Sequence, residues 1–354
     1  MKKFLVNLLC AFIRDKHQRR AVQDVLLNGV APAPLPVVDD FMYACGVLSC
    51  GEDKILQDYF LNNNMPAKIT QLKMALDEES KQNIDRYLQK MLVLPDGKIS
   101  INYKISRSFL EKLQTQTEKE FTQKFFNELP SYKLDVVLNR DEYNPDTFLF
   151  HHGLRFLPQK VKDYIAGKDF IDGGAYIGDS AIMLNKYYNP RKVWSFEISE
   201  NNTKLYYENL QANDIQDDKC ALIPMGLWSS SKNIFIKDVG GQGASILQTG
   251  ESKITLTDVD SFVDKNNLNV GFIKSDVEGV GLAALNGMVK TIRKQRPVLS
   301  LAIYHNPTEF FEMCPRLQEC AGEEYKITVT QFHPFYDCNN EIAILAYPKE
   351  LDNE

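Results

Sequence analysis

The stretch Phe170-Ile171-Asp172-Gly173-Gly174-Ala175-Tyr176-Ile177-Gly178-Asp179 reads as a strand, a glycine turn and the start of a helix. In an open α/β sheet, this junction is where a nucleotide-like ligand meets backbone N–H groups. Gly174 is expected to let backbone approach a ligand without a Cβ, and Gly178 to allow close packing where the helix begins. The spacing Asp-x-Gly-x-x-x-Gly is not the dinucleotide fingerprint Gly-x-Gly-x-x-Gly. A carboxylate at Asp172 would repel a phosphate and attract a cation. An ordinary turn with a strand-capping Asp would carry the same residue.

Outward from this loop, strands and helices alternate, the pattern of a parallel sheet with crossover helices. Asp179–Tyr188 is the first helix, Lys192–Glu197 the second strand, Asn202–Ala212 the next helix and Ala221–Met225 the third strand. Ile234–Lys237 and Ile254–Thr257 read as an inserted hairpin around Gly240-Gly241-Gln242-Gly243. Phe272–Asp276 and Val298–Tyr304 follow as the fourth and fifth strands, and Tyr325–Thr330 and Glu341–Tyr347 as late strands. On the N-terminal side, Leu134–Leu138 and Thr147–Leu149 look strand-like. Lys54–Asn62, Lys68–Val93 and Arg107–Asn127 look helical, with Pro95-Asp96-Gly97 as a turn. Three regions result: residues 1–30 as a basic amphipathic helix, 31–130 as a helical accessory region and 131–354 as the α/β domain.

The strand ends carry the chemistry. Glu197 closes the second strand, where an acid can accept both hydroxyls of a ribose. Met225-Gly226-Leu227 closes the third and could flank an adenine ring. Ile273-Lys274-Ser275-Asp276-Val277-Glu278-Gly279 delivers two acids to the mouth of the fourth strand, and Lys274, on the strand itself, is expected to pair with an acid. Two carboxylates can hold a hard cation, but no further ligand cluster accompanies them, so no metal site is assigned. Tyr304-His305-Asn306-Pro307 ends the fifth strand, with Asn306 suited to cap a helix and Pro307 to begin it. His305 then shares a sheet edge with Asp172 and Asp276 and becomes the first candidate for a general base, with Asp276 the second.

Composition narrows the class. A net charge of −6 over 354 residues argues against broad nucleic-acid binding. The seven cysteines, Cys10, Cys45, Cys50, Cys220, Cys314, Cys320 and Cys338, form no Cys-x-x-Cys pair and read as reduced thiols of a cytoplasmic protein, although Cys45 and Cys50 lie close enough in sequence to pair. Near the start, Phe4, Leu5, Leu8, Leu9, Phe12 and Ile13 share a helical face among Lys2, Lys3, Arg14, Lys16, Arg19 and Arg20. That run is too short to span a bilayer, which takes about 20 residues. It fits a helix lying on an anionic membrane surface through residues 1–20, at the inner face of the membrane, and equally a helix packed on its own domain. A signal-peptide core has a similar length but lacks the charges that follow here.

The glycine loop matches the first motif of S-adenosylmethionine-dependent methyltransferases. Taken with Ser195-Phe196-Glu197, Ile273–Gly279 and Pro297–Pro307, it makes residues from about Leu134 to Tyr347 resemble the FkbM family of methyltransferases. The chain departs from the family at Ser275 and at Val280-Gly281, where an apolar residue and an acid are commoner. The resemblance implies an α/β fold with a class I (Rossmann-like) methyltransferase sheet, helices on both faces and a mainly helical region before it. It also implies S-adenosylmethionine as cofactor, held by Asp172, Gly173, Gly174, Tyr176, Gly178, Asp179, Glu197 and Gly226. His305, Asp276, Glu278 and Lys274 are then the catalytic candidates. The implied reaction is O-methylation of a sugar hydroxyl in bacterial surface-glycan biosynthesis (capsule or lipopolysaccharide), on a glycan or nucleotide-sugar acceptor. The segment Met1–Ile13 resembles the starts of bacterial surface-polysaccharide enzymes. A non-catalytic binding protein on the same fold and a nucleotide-dependent oxidoreductase are the competing classes, and a homo-oligomer stays open.

Overall fold

The computed structural model describes residues 41–42, 53–90, 105–106, 111–236, 252–335 and 341–352. The readings made for the basic N-terminal helix, the Pro95-Asp96-Gly97 turn, the Gly240–Gly243 loop and Cys10, Cys45, Cys50 and Cys338 lie outside the described residues.

Seven strands form the main sheet: β1 (Asp169–Gly173), β2 (Lys192–Phe196), β3 (Cys220–Ile223), β7 (Val270–Ser275), β8 (Val298–Ala302), β9 (Tyr325–Gln331) and β10 (Ile342–Pro348). Their order is β9-β10-β8-β7-β1-β2-β3. β1, β2, β3, β7 and β8 run parallel, and β10 is antiparallel to both β8 and β9. This is a class I methyltransferase sheet. Three shorter strands, β4 (Met225–Leu227), β5 (Lys232–Ile236) and β6 (Ser252–Thr257), form a side sheet in which β6 pairs parallel with β4 and antiparallel with β5. The expected hairpin is the β5–β6 pair, and Met225 opens β4 rather than closing β3.

The central strands can lie here because they are mostly apolar and their buried charges, such as Asp172 and Lys274, are paired. Every residue of β1, β7 and β8 is buried, as a strand covered on both faces requires. Successive side chains point to opposite faces. Ile171, Ile273 and Leu299 therefore enter one core, while Phe170, Phe272 and Val298 enter the other. β9, at the edge, alternates buried and half-buried residues instead.

The second core is closed by α5 (Asp179–Tyr188), α6 (Glu200–Ala212) and α4 (Gln116–Asp135). The first is closed by α7 (Val259–Asn266), α8 (Pro307–Ala321) and three N-terminal helices, α1 (Asp53–Asn62), α2 (Met65–Lys73) and α3 (Glu78–Lys90). Leu72, Ile84 and Tyr87 are fully buried in the same core as the sheet. Ser80 Oγ on α3 accepts a hydrogen bond from Val329 N of β9 at 2.9 Å. The helical region before the α/β domain is thus packed on the sheet. No described helix is long and apolar enough to cross a membrane.

Three local expectations change. The run taken as one helix over Lys68–Val93 breaks between α2 and α3, because Asp77 accepts the Ser80 N–H at 2.8 Å and starts a new helix. Leu134 and Asp135 are the end of α4, not a strand. A capping box of Thr115 and Glu118 starts that helix, and buried Phe125 and Tyr132 carry it past the β-prone residues, leaving Leu134 85% exposed. Pro145–Phe148 is a helical turn begun by its proline rather than a strand. Cys220, Cys314 and Cys320 are buried free thiols.

Phe311 of α8 joins the N-terminal helices to the sheet. Its ring stacks on Tyr59 at 5.7 Å and meets Phe60 edge-on at 5.8 Å. Phe311→Ala should cost about 3–5 kcal/mol in chemical denaturation. A loss below about 1 kcal/mol would contradict the packing described.

Candidate active site

A cavity partly open to solvent sits at the C-terminal ends of β1, β2, β7 and β8. The strand order reverses beside β1, and that switch point is where open α/β sheets bind ligands.

The glycine loop forms its floor for reasons partly different from those expected. Gly174 has φ +77°, and a Cβ there would lie 1.8 Å from the Asp276 carbonyl oxygen. Its smallness lets the loop after β1 cross the loop after β7. Gly178, at φ +86°, packs against the Tyr206 ring and Leu210 of α6, as its spacing implied. A Cβ on Gly173 would meet Leu227 at 2.7 Å. Gly174, Tyr176 and Asp179 line the cavity.

Asp172 does not line it. It is fully buried, with Oδ1 3.4 Å from Lys274 Nζ and Oδ2 accepting from Ser195 Oγ at 3.2 Å. The expected contact of Asp172 with a cationic ligand is replaced by one with an internal cation. Lys274 also donates to the Gly174 carbonyl at 2.7 Å and reaches the cavity wall. Burial alone would discharge this ammonium, but Asp172, Asp276, Asp179 and Asp146 hold its pKa above the ordinary lysine value.

Glu197, just past the end of β2, and Gly226, in β4 rather than at the end of β3, stand on the same side of the cavity. The Glu197 carboxylate is clamped by three backbone donors: Ile198 N and Ser199 N at 2.8 Å to Oε1, and Tyr176 N at 2.9 Å to Oε2. Burial pushes its pKa up against these bonds. Gly226 lies between Met225 and Leu227, which present an apolar wall.

Asp276, Glu278 and His305 come together, but His305 is not on the wall. Its Nε2 is 3.1 Å from Asp276 Oδ1 and 3.7 Å from Glu278, and its Nδ1 is 3.1 Å from Glu309. Burial opposes charge on this ring, yet Asp276 and Glu309 outweigh it and keep the pKa well above the usual imidazole value. A protonated imidazole bracketed by carboxylates has no free lone pair for a substrate proton, so the expectation that His305 is the base gives way to a positioning part. Asp276, the second candidate, is a weak base for the complementary reason. Burial would raise its pKa, but His305 and Lys274 hold it well below the carboxylate range. Glu278 differs. Burial, with Asp276 and Glu309 nearby, pushes its pKa to about 7 despite His305, and it lines the cavity.

Sequence reading missed Asp146, His152, Tyr304 and Glu341, which complete the wall. Burial and Asp276 push Asp146 to about 6, and burial and Asp146 push Asp179 to about 7. Burial and Lys274 keep the His152 pKa well below its ordinary value. Four wall residues, His152, Tyr176, Glu278 and Glu341, have left-handed backbones with φ between 47° and 58°. Strain of this kind collects at functional sites. Asp146 and Glu341 sit in segments with no motif, far in sequence from the loop, and Tyr304 was in view only as the neighbour of His305.

Residues 172–323 match the family model described as "Methyltransferase FkbM domain". No curated protein matches the chain. Among solved structures it is similar to the methyltransferase FkbM from Methylobacillus flagellatus KT, at 19% identity over 79% of this chain and 58% of that one, with a TM-score of 0.49. The chain thus spans less than two thirds of that protein's length. It is also similar to an rRNA methylase from Streptococcus thermophilus (12% identity, 54% of this chain and 92% of that one, TM-score 0.33). A third is a Streptococcus mutans protein in complex with SAH (12% identity, 58% and 98%, TM-score 0.37).

Gly174→Ala should collapse the loop crossing. The added Cβ has no room beside the Asp276 carbonyl and the φ is unfavourable, so a loss of at least ~2 kcal/mol in denaturation is expected. Wild-type stability in that variant would contradict the crossing.

Proposed function

We propose that this chain is a methyltransferase of the FkbM family, which uses S-adenosylmethionine to methylate a sugar hydroxyl of a bacterial surface glycan, presented as a glycan or a nucleotide sugar. The observation that carries the reading is the Glu197 carboxylate, clamped by backbone N–H groups at the mouth of β2 beside the glycine loop. A carboxylate held at the mouth of the second strand beside the glycine loop is placed to meet the hydroxyls of a ribose. Met225, Gly226 and Leu227 offer the apolar surface a purine ring takes. The acids of the opposite wall suit a ligand that brings positive charge. The residues present therefore fit S-adenosylmethionine.

When bound, that cofactor supplies an electrophilic sulfonium methyl, which passes to the acceptor oxygen and leaves a neutral thioether behind. The chain's own residues have two tasks. Alignment is one, worth up to about 7–11 kcal/mol in favourable cases. Asp276, held ionised by His305 and Lys274, can accept the acceptor hydroxyl's hydrogen bond and fix its direction. Proton removal is the other, and Glu278 suits it because a base titrating near neutrality is both available and strong enough. The hydroxyl proton then goes to the Glu278 carboxylate and on to solvent, to which that side chain is one-third exposed.

Two outcomes test this reading. Isothermal titration calorimetry should show S-adenosylmethionine binding one to one, with Glu197→Gln weakening it by about tenfold, one charge-assisted hydrogen bond's worth. Unaltered affinity in that variant would remove Glu197 from the cofactor site. Transfer of labelled methyl to glycan fractions should rise with pH through about 7, as Glu278 ionises, and then level off. In Glu278→Gln it should fall by roughly 10²–10⁴-fold with the pH step gone. Full turnover in Glu278→Gln would assign the proton to another group.

A further inference from the structure

We infer that the acceptor end of this cavity takes a neutral or amine-bearing sugar unit and rejects one that carries a carboxylate or a phosphate. The inference rests on the methyltransferase reading of the same cavity and adds the charge class of the acceptor to it.

The sheet order divides the cavity. β2 and β3 lie on one side of β1, and β7, β8 and β10 on the other. Glu197 and the β4 residues stand at the first end. Asp146, Tyr304 and Glu341 stand at the second, where the acceptor must enter once a cofactor fills the first. At this end Tyr304 donates to Glu341 Oε1 at 3.0 Å and lies 3.4 Å from each oxygen of Asp276. Asp146 bears on the same space. Burial first, then Asp146 and Asp276, push the Glu341 pKa well above its ordinary value. The acids already repel one another.

The cations nearby are committed inside the protein. Lys274 holds Asp172 and the Gly174 carbonyl. His305 is bracketed by Asp276, Glu309 and Glu278. His152 is neutral, with Nε2 2.8 Å from Ser180 Oγ. Among the described wall residues, no cation remains to meet an anionic acceptor. Neutral hydroxyls can donate to these carboxylates, and a protonated amine can do so with charge assistance. A carboxylate or phosphate adds repulsion and finds no partner. It follows that the diphosphate of a nucleotide sugar would have to stay outside this end while the sugar hydroxyl enters.

Saturation-transfer NMR reads this without turnover. The full chain is first titrated with S-adenosylhomocysteine by calorimetry. It is then loaded with that ligand and presented with methyl glucoside, methyl glucosaminide and methyl glucuronide in turn. Signal transfer to the first two should exceed that to the glucuronide several-fold. Glu341→Gln and Asp146→Asn, each checked for folding by circular dichroism, should raise the glucuronide signal. Equal or stronger transfer to the glucuronide in the wild type, no transfer to any of the three sugars, or a glucuronide signal unmoved in both variants would overturn the inference while leaving the cofactor reading intact. Failure of S-adenosylhomocysteine to bind at the first step would bring down the cofactor reading and this inference with it.

Discussion

The buried pair of Asp172 and Lys274 holds the centre of this molecule. The two residues face each other across the β1–β7 ladder, the pairing that creates the switch point. Taking two charges out of water is costly, and such a pair persists only when further hydrogen bonds satisfy its spare donors and lone pairs. Here Ser195 donates to Asp172, and the ammonium donates to the carbonyl of Gly174. That last bond fixes the glycine loop from below. The loop in turn fixes the Tyr176 N–H on Glu197 and brings Gly174 against the Asp276 carbonyl. One ion pair thereby sets both walls of the cavity.

A second charged arrangement governs the other side. His305 follows the end of β8 and precedes the N-cap of α8, and Asn306 joins this corner to the β7 loop by donating to the Gly279 carbonyl at 2.9 Å. The imidazolium lies among Asp276, Glu278 and Glu309, and its charge acts with burial to leave the acids in different states. Asp276 is driven to stay ionised, whereas Glu278 is left near neutrality. Two carboxylates two residues apart thus acquire different chemical aptitudes, Asp276 from the charges of His305 and Lys274 and Glu278 from its burial. This is the pattern by which a single site can orient a substrate with one acid and accept its proton with another.

Much of this was legible in the sequence, and the rest failed for identifiable reasons. Helix α5 ends where the periodicity placed it, and the central strands fall within a residue or two of their apolar runs, because a doubly covered parallel strand has little freedom in composition. Asn306 and Pro307 announced α8 by local chemistry alone. Leu134 and Thr147 misled because their β propensity was overruled by a capping box and a proline nearby. The strand pattern put Glu197 at the end of β2, where it lines the cavity, but could not reveal that Asp172 turns away from it, since its partner Lys274 lies about a hundred residues further along. His305 looked like a base by type and position. Only its three acidic neighbours, two of them on another loop, disclose that it is charged. Asp146 and Glu341 carry no motif and reach the site through tertiary packing.

The claim that ties these observations together is that the cavity above β1 is a cofactor site organised around Glu197. A crystal structure of the full chain grown with S-adenosylhomocysteine tests it most directly. The account predicts electron density for the ligand above the glycine loop, with its ribose hydroxyls on the Glu197 carboxylate and its purine against Met225 and Leu227. Ligand bound elsewhere, or a saturated crystal in which Glu197 contacts only the backbone donors that clamp it, would contradict the account.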